Sequence, residues 1–264
     1  MFDRDILMPP WARGCFSTFN RGCGAGSRAG RYETREQGPA GLPCAPTRRF
    51  ERWPTTATPL RRRPLKRAGP DYYQHTLSRE LRPPFVRGIR ILQEAGVRPA
   101  QAIEVGFGDG EETLALLAAG WRVLAIDASP EAAEVLRPRV PAGLADSLEI
   151  RSTPVEDAEL APFDLLYAGY TLPFLAPEAF DRFWRQTLDH ANPGGYLVVN
   201  LFGTHDTWAG RPDMRFHERP QVERLVDGLD IVVLDDTEED GPSFLGPKHW
   251  HVLDVIVRKP AESG

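Results

Sequence analysis

From residue 83 onward, apolar positions follow two alternating spacings. Phe85, Val86, Ile89 and Leu92 recur every three or four residues, behind Pro83-Pro84 and ahead of Gly96. That is one face of a helix with prolines in its first turn and a glycine stop. Short apolar runs follow at 102–105, 121–127, 148–151, 163–168 and 196–202, each of strand length. Helical patterns separate them at 111–119, after Ser129-Pro130-Glu131, and at 177–191. Strands alternating with helices, and apolar nearly throughout, predict a parallel sheet covered on both faces. The last two runs, 229–234 and 252–257, have no helical stretch between them, so they are expected to pair antiparallel at one edge. The expectation is a Rossmann-like, seven-stranded, mostly parallel α/β sheet with a reversed last strand and helices on both faces.

Residues 1–70 break this pattern. They hold 14 Lys+Arg against 5 Asp+Glu, with 8 Gly and 9 Pro and neither periodicity. Residues 71–264 hold 18 against 32, so the overall charge of −5 hides a basic head and an acidic body. The chain therefore divides at 70/71, into a disordered basic segment and one folded domain. The basic run Arg61-Arg62-Arg63 with Lys66-Arg67 leaves open an electrostatic arm for nucleic acid or an acidic partner. Cys15, Cys23 and Cys44 all fall in the head without a CxxC spacing, which implies neither a disulfide framework nor a zinc site and fits a reducing, cytoplasmic setting. No apolar stretch is long enough to span a membrane.

The chemistry concentrates at Gly106-Phe107-Gly108-Asp109-Gly110, between the first strand of the body and the next helix. Glycines there allow positive φ and close approach of a ligand to the backbone. Asp127 ends the next strand 21 residues after Gly106, where a carboxylate can accept both ribose hydroxyls of a nucleoside. Dinucleotide sites prefer GxGxxG, whereas the spacing here is GxGxG with Glu104 two residues ahead. An acid at that point repels a pyrophosphate and attracts a sulfonium or an amino group. The charge favours S-adenosylmethionine over NAD.

These residues resemble motif I of the class I S-adenosylmethionine-dependent methyltransferases, and the similarity extends over about residues 71–260. It includes Asn192-Pro193-Gly194-Gly195 ahead of the fifth strand and the reversed last strand. Tyr170-Thr171-Leu172-Pro173-Phe174 and the segment around Phe216 are similar to the small-molecule branch that contains tellurite-resistance methyltransferases. The resemblance implies methyl transfer from S-adenosylmethionine to a small soluble acceptor. It places Glu104, Gly106, Phe107, Gly108 and Gly110 against the methionine and ribose, Asp127 and Ala128 at the ribose, and Val155 and Glu156 near adenine. Pro154 stands where the family often has an acid, so adenine N6 is left to Glu156, Asp157 or the backbone. Phe107 replaces a residue often small in the family and narrows the site.

Methyl transfer is an in-line displacement that needs a positioned acceptor and needs a base only when the nucleophile starts protonated. Open parallel sheets bind ligands beyond the carboxyl ends of their strands. That points to 169–174, 203–208 and 244–251, with Tyr72, Tyr73 and His75 as a possible lid. Candidate proton acceptors are His249, His251, His217 and Tyr170, with His205, Trp208 and Trp250 nearby in sequence. His249 and His251 share one face of a strand, and the alternative for His251 is a packed, hydrogen-bonded ring. No complete metal-ligand spacing is visible, so no metal is expected. Lys248 reads as solvated or as an attractor of an anionic acceptor. The acidic run 235–241 reads as a solvated turn, or as a face for a cationic acceptor. A nucleic-acid substrate is disfavoured by the acidic body and by the lack of a Pro-Pro-aromatic after the fourth strand. The competing readings are an NAD(P)-dependent oxidoreductase, which lacks a Tyr-xxx-Lys pair here, and a non-catalytic methyltransferase-like module. The sequence sets no oligomeric state.

Overall fold

The alternating pattern becomes one mixed sheet in a computed structural model that describes residue 77 and residues 79–243 and 245–261. The basic segment 1–70 with its cysteines, the lid residues Tyr72, Tyr73 and His75, and Phe244 lie outside the described residues. All described residues belong to one unit, Pro64–Gly264.

The strands are β1 (Gln101–Val105), β2 (Arg122–Asp127), β3 (Leu148–Ser152), β4 (Phe163–Ala168), β5 (Ala191–Gly203), β6 (Phe216–His217), β7 (Asp230–Ser243) and β8 (Gly246–Arg258). The sheet order is β3-β2-β1-β4-β5-β8-β7, with β6 paired to the end of β5. Strands β1 to β5 run parallel to one another, and β8 runs antiparallel to both β5 and β7. The reversed strand is where the sequence pattern puts it. The eighth strand, β6, has two residues and so carries no periodic signal.

Helices α1 (Pro83–Glu94), α2 (Glu111–Ala118) and α3 (Pro130–Leu136) cover one face, and α4 (Pro177–His190) and α5 (Arg219–Leu225) cover the other. Strand alternation sorts the core accordingly. Ala102, Leu165 and Val198 face the α1 side, while Ile103, Leu166 and Val199 face the α4 side. Phe85 of α1 meets Tyr167 of β4 edge-to-face with ring centroids 5.0 Å apart, a contact that contributes about 1 kcal/mol beyond its buried area. Helix α5 has no strong apolar periodicity, but a capping box between Glu218 and Gln221 starts it.

The acidic run 235–241 is not a turn. It is the outer half of β7, paired with β8 as far as Ser243 opposite Gly246. The alternation is hidden there because the hairpin runs past the core, and both faces of β7 carry polar residues.

Candidate active site

Parallel strands bring the carboxyl ends of β1, β2, β4 and β5 to one edge, together with the start of β8. The turn after β1 lies at this edge. Gly106, Gly108 and Gly110 take φ of 72°, 57° and 79°, values that L side chains rarely adopt. A Cβ on Gly106 would overlap the Thr171 side chain, which comes from the segment after β4. The Gly106 N–H donates to the Ile126 carbonyl at 2.7 Å, so the turn is tied to the end of β2. There Asp127 accepts the Gly108 N–H at 2.9 Å and the Ser129 N–H at 2.8 Å. These bonds fix a carboxylate beside the turn. Tyr167 Oη, buried at the same edge against Gly169, has no hydrogen-bond partner among the described residues.

Beneath the turn lies a buried ionic cluster. Glu104 is 1% exposed and accepts the Thr113 hydroxyl of α2. Burial, with the Glu112 charge beside it, pushes the Glu104 carboxyl well above the usual carboxylate range. Glu112 is held low against burial by Arg79 and Arg82, which both pair with it. Arg79 also reaches Asp109 at 2.8 Å, and Arg139 pairs with Glu111 at 2.5 Å. The acids at the start of α2 are thus met by the protein's own guanidinium groups.

Further along the edge, Tyr170 has φ 55°, the one positive value outside glycine among the described residues. A bulky residue in that region is strained, a feature that clusters at functional sites. Its ring lies 6.1 Å from Trp250 and 6.3 Å from Phe202, and Phe174 and Trp208 extend the aromatic wall. Within that wall sits Lys248 Nζ, 3.5 Å from the Trp208 ring centre and 3.8 Å from that of Trp250. Lys248 is 5% exposed, so it is not a solvated lysine. Strand alternation puts it on the same face as Trp250 and Val252, and Asp206 at 2.7 Å balances its charge.

The opposite face of β8 carries the histidines. His251 Nε2 lies 2.7 Å from Asp236, and its Nδ1 accepts the His205 N–H at 3.1 Å. His249 contacts Asp240 at 2.8 Å and Glu238 at 3.1 Å, and His205 contacts Glu238 at 2.9 Å. Bonds from His205 and His249 bring the Glu238 carboxyl down to about 2, and Asp240 and Glu238 raise His249. His217 stands apart, 4.9 Å from the Phe180 ring on the α4 side. Burial, and then the Arg215 charge, lower it to about 4.

Comparison with known proteins places this geometry. Residues 103–199 match a family model described as a methyltransferase domain. TehB from Haemophilus influenzae has the same fold, with a TM-score of 0.58 at 14% identity, covering 72% of this chain and 66% of that one. The N-methyltransferase NodS from Bradyrhizobium japonicum, solved in complex with S-adenosyl-L-homocysteine, gives 0.53 at 18% identity over 72% and 97%. A SAM-dependent methyltransferase from Methanosarcina mazei gives 0.52 at 17% identity over 70% and 100%.

Residues 103–199 thus match a methyltransferase domain, and the chain has the fold of the methyltransferases compared.

Among curated relatives, the carboxy-S-adenosyl-L-methionine synthase of Erwinia tasmaniensis is 31% identical over 129 residues, 45% of this chain and 50% of its own length. The Yersinia pestis protein of that name is 29% identical over 118 residues, 42% and 44%. The chain spans about half the length of the curated relatives it matches.

The methyltransferase domain brings Gly106, Gly108, Gly110, Asp127 and Ala128 together at the ends of β1 and β2. Phe107 is 1% exposed and turned into the core, so its ring packs under the turn. Val155 is also core, while Glu156 and Asp157 beside it are exposed. Tyr170 joins the aromatic wall, and His249 and His251 join a separate cluster with His205. Sequence reasoning missed Arg79, Arg82, Thr113 and Asp206. Thr113 was findable, since it lies one helical turn inside α2 under Glu104. The arginines and Asp206 gave no signal, because their partners are about 30 to 40 residues away.

Proposed function

We propose that the domain binds S-adenosylmethionine at the Gly106–Gly110 turn and directs its methyl group to a small acceptor held at the aromatic wall. The observation that carries this reading is the anchored carboxylate of Asp127 beside three glycines at positive φ. The residues present suit the cofactor. Asp127 is an acceptor for a ribose diol, and the glycines leave room at the backbone. The orphaned Tyr167 Oη is a polar group available at the same edge. Ala128, Val155 and Glu156 lie toward the adenine side, and Glu104 lies under the methionine side. Relatives named for carboxy-S-adenosyl-L-methionine synthesis, and a fold neighbour solved with S-adenosyl-L-homocysteine, support an adenosyl sulfur ligand.

S-adenosylmethionine supplies an electrophilic methyl carbon on a sulfonium. The chain's own part is to place an acceptor on the methyl axis and to keep water away. Tyr170, Phe174, Phe202, Trp208 and Trp250 form a rigid apolar surface suited to a flat or apolar molecule. Burial and the Asp254 charge raise the Tyr170 phenol, so it stays protonated and serves to position by hydrogen bonding. His249 and His251 lie on the face of β8 away from that wall, bonded to Asp240, Glu238 and Asp236, and His217, lowered to about 4, is a weak base, so the reaction suits an acceptor that is already nucleophilic. No helix among the described residues is long and apolar enough to cross a membrane. The acidic body argues against a phosphate-backbone substrate.

The test is calorimetric titration with S-adenosylmethionine, S-adenosylhomocysteine and NAD. Saturable binding of the two adenosyl sulfur ligands, with none of NAD, is expected. Binding of NAD alone would turn the assignment to an oxidoreductase.

A further inference from the structure

Three segments far apart in the sequence meet on the outer face of the β7–β8 hairpin. Glu238 of β7 pairs directly across from His251 of β8, and His205 comes over them from the loop after β5. The rings of His205 and His251 stack with centroids 5.0 Å apart. Each of the three residues offers one ligand atom, and all three atoms lie within 4.8 Å of one another.

We propose that His205, Glu238 and His251 form a binding site for a divalent transition-metal ion such as zinc. Two imidazoles and one carboxylate suit a first-row transition metal, whereas magnesium and calcium take oxygen ligands. Tetrahedral metal–ligand bonds of about 2.1 Å place donor atoms about 3.4 Å apart, so the widest pair closes by up to about 1.4 Å. His205 can supply that movement, because its side chain is 67% exposed and it sits on a loop. The outer groups also match. His251 Nε2 lies 2.7 Å from Asp236, and its Nδ1 accepts the His205 N–H at 3.1 Å, so an ion at Nδ1 takes the place of that amide as the loop shifts. A carboxylate on the far nitrogen is the arrangement that metal-bound imidazoles have. His249 holds the second oxygen of Glu238 in the same way. The sequence hides this set because its members come from three elements.

The ion would fasten the loop after β5 to the hairpin. That loop also carries Asp206 and Trp208 of the aromatic wall, so the metal would stiffen the wall from behind without touching the cofactor turn. The proposal does not depend on the identity of the cofactor.

The test uses the full chain, freed of any tag and treated with chelator, titrated with ZnCl2 by calorimetry. One zinc per chain is expected, with a rise in thermal midpoint. His205→Ala and His251→Gln are expected to weaken binding at least about 100-fold and Asp236→Asn about tenfold. His190→Ala, on α4, leaves it unchanged. His205 is exposed, so its variant tests the site without disturbing the core. Titration with CoCl2 gives a visible absorption band that His205→Ala removes. The absence of saturable zinc binding, or binding that survives His205→Ala and His251→Gln together, would overturn the proposal.

Discussion

The turn at Gly106–Gly110 and the wall at Tyr170–Trp250 sit on one edge of one sheet, yet they are made of different material. The turn is backbone. Its shape comes from three positive-φ glycines, a main-chain bond to Ile126 and a carboxylate held by two amides. The wall is side chains from four separate stretches, joined by ring contacts and by the Lys248–Asp206 pair. A backbone cradle fixes one ligand and tolerates little change. A wall of side chains can be remodelled residue by residue.

The largest effect expected is at Gly106. Gly106→Ala forces an L side chain to φ near 72° and into Thr171, and cofactor affinity falls at least about 100-fold. Thr171→Ala restores part of that loss, because it removes the atoms in the way. Asp127→Ala comes next, with S-adenosylhomocysteine binding weakened by about 10- to 100-fold as charge-assisted bonds to the ribose are lost. On the other side of the comparison, Trp250→Ala leaves cofactor affinity within about twofold and raises acceptor KM about tenfold, measured by steady-state kinetics.

An effect on stability, not on affinity, separates His217 from either region. Its ring has an ordinary value of 6.5 and a folded value of about 4, so the fold favours the neutral form. Stability from this group is full above pH 6.5. It is lost as pH falls toward about 4, because the unfolded chain takes up a proton that the fold refuses. The loss approaches about 3 kcal/mol, since each pH step between the unfolded and folded values is equivalent to about 1.4 kcal/mol. Urea midpoints measured across that window should fall for the natural chain and flatten for His217→Leu. The smallest effect is expected at Glu156, whose exposed side chain changes cofactor affinity less than about threefold when cut to alanine.

The same contrast explains what could be read from the sequence. The turn, Asp127 and the parallel strands lie within short spans, so glycine spacing and strand–helix alternation reveal them. The reversed strand β8 follows from two adjacent runs without a helix between. The wall's chemistry is not local. Lys248 reads as solvated until Asp206 is brought to 2.7 Å, across 42 residues of sequence. The acidic run in β7 reads as a turn because strand patterning needs one buried face, and the outer half of β7 has none. Glu104 reads as a charge facing a cofactor. Its burial beside Thr113 depends on α2 folding back over β1, which no spacing in β1 can report.

The most direct test is calorimetric titration of S-adenosylhomocysteine into the natural chain, Asp127→Ala and Trp250→Ala, side by side. If the turn holds the cofactor and the wall holds the acceptor, Asp127→Ala loses most of its affinity while Trp250→Ala keeps its own within about twofold. Full affinity in Asp127→Ala, or its collapse in a folded Trp250→Ala, would contradict that division of the edge.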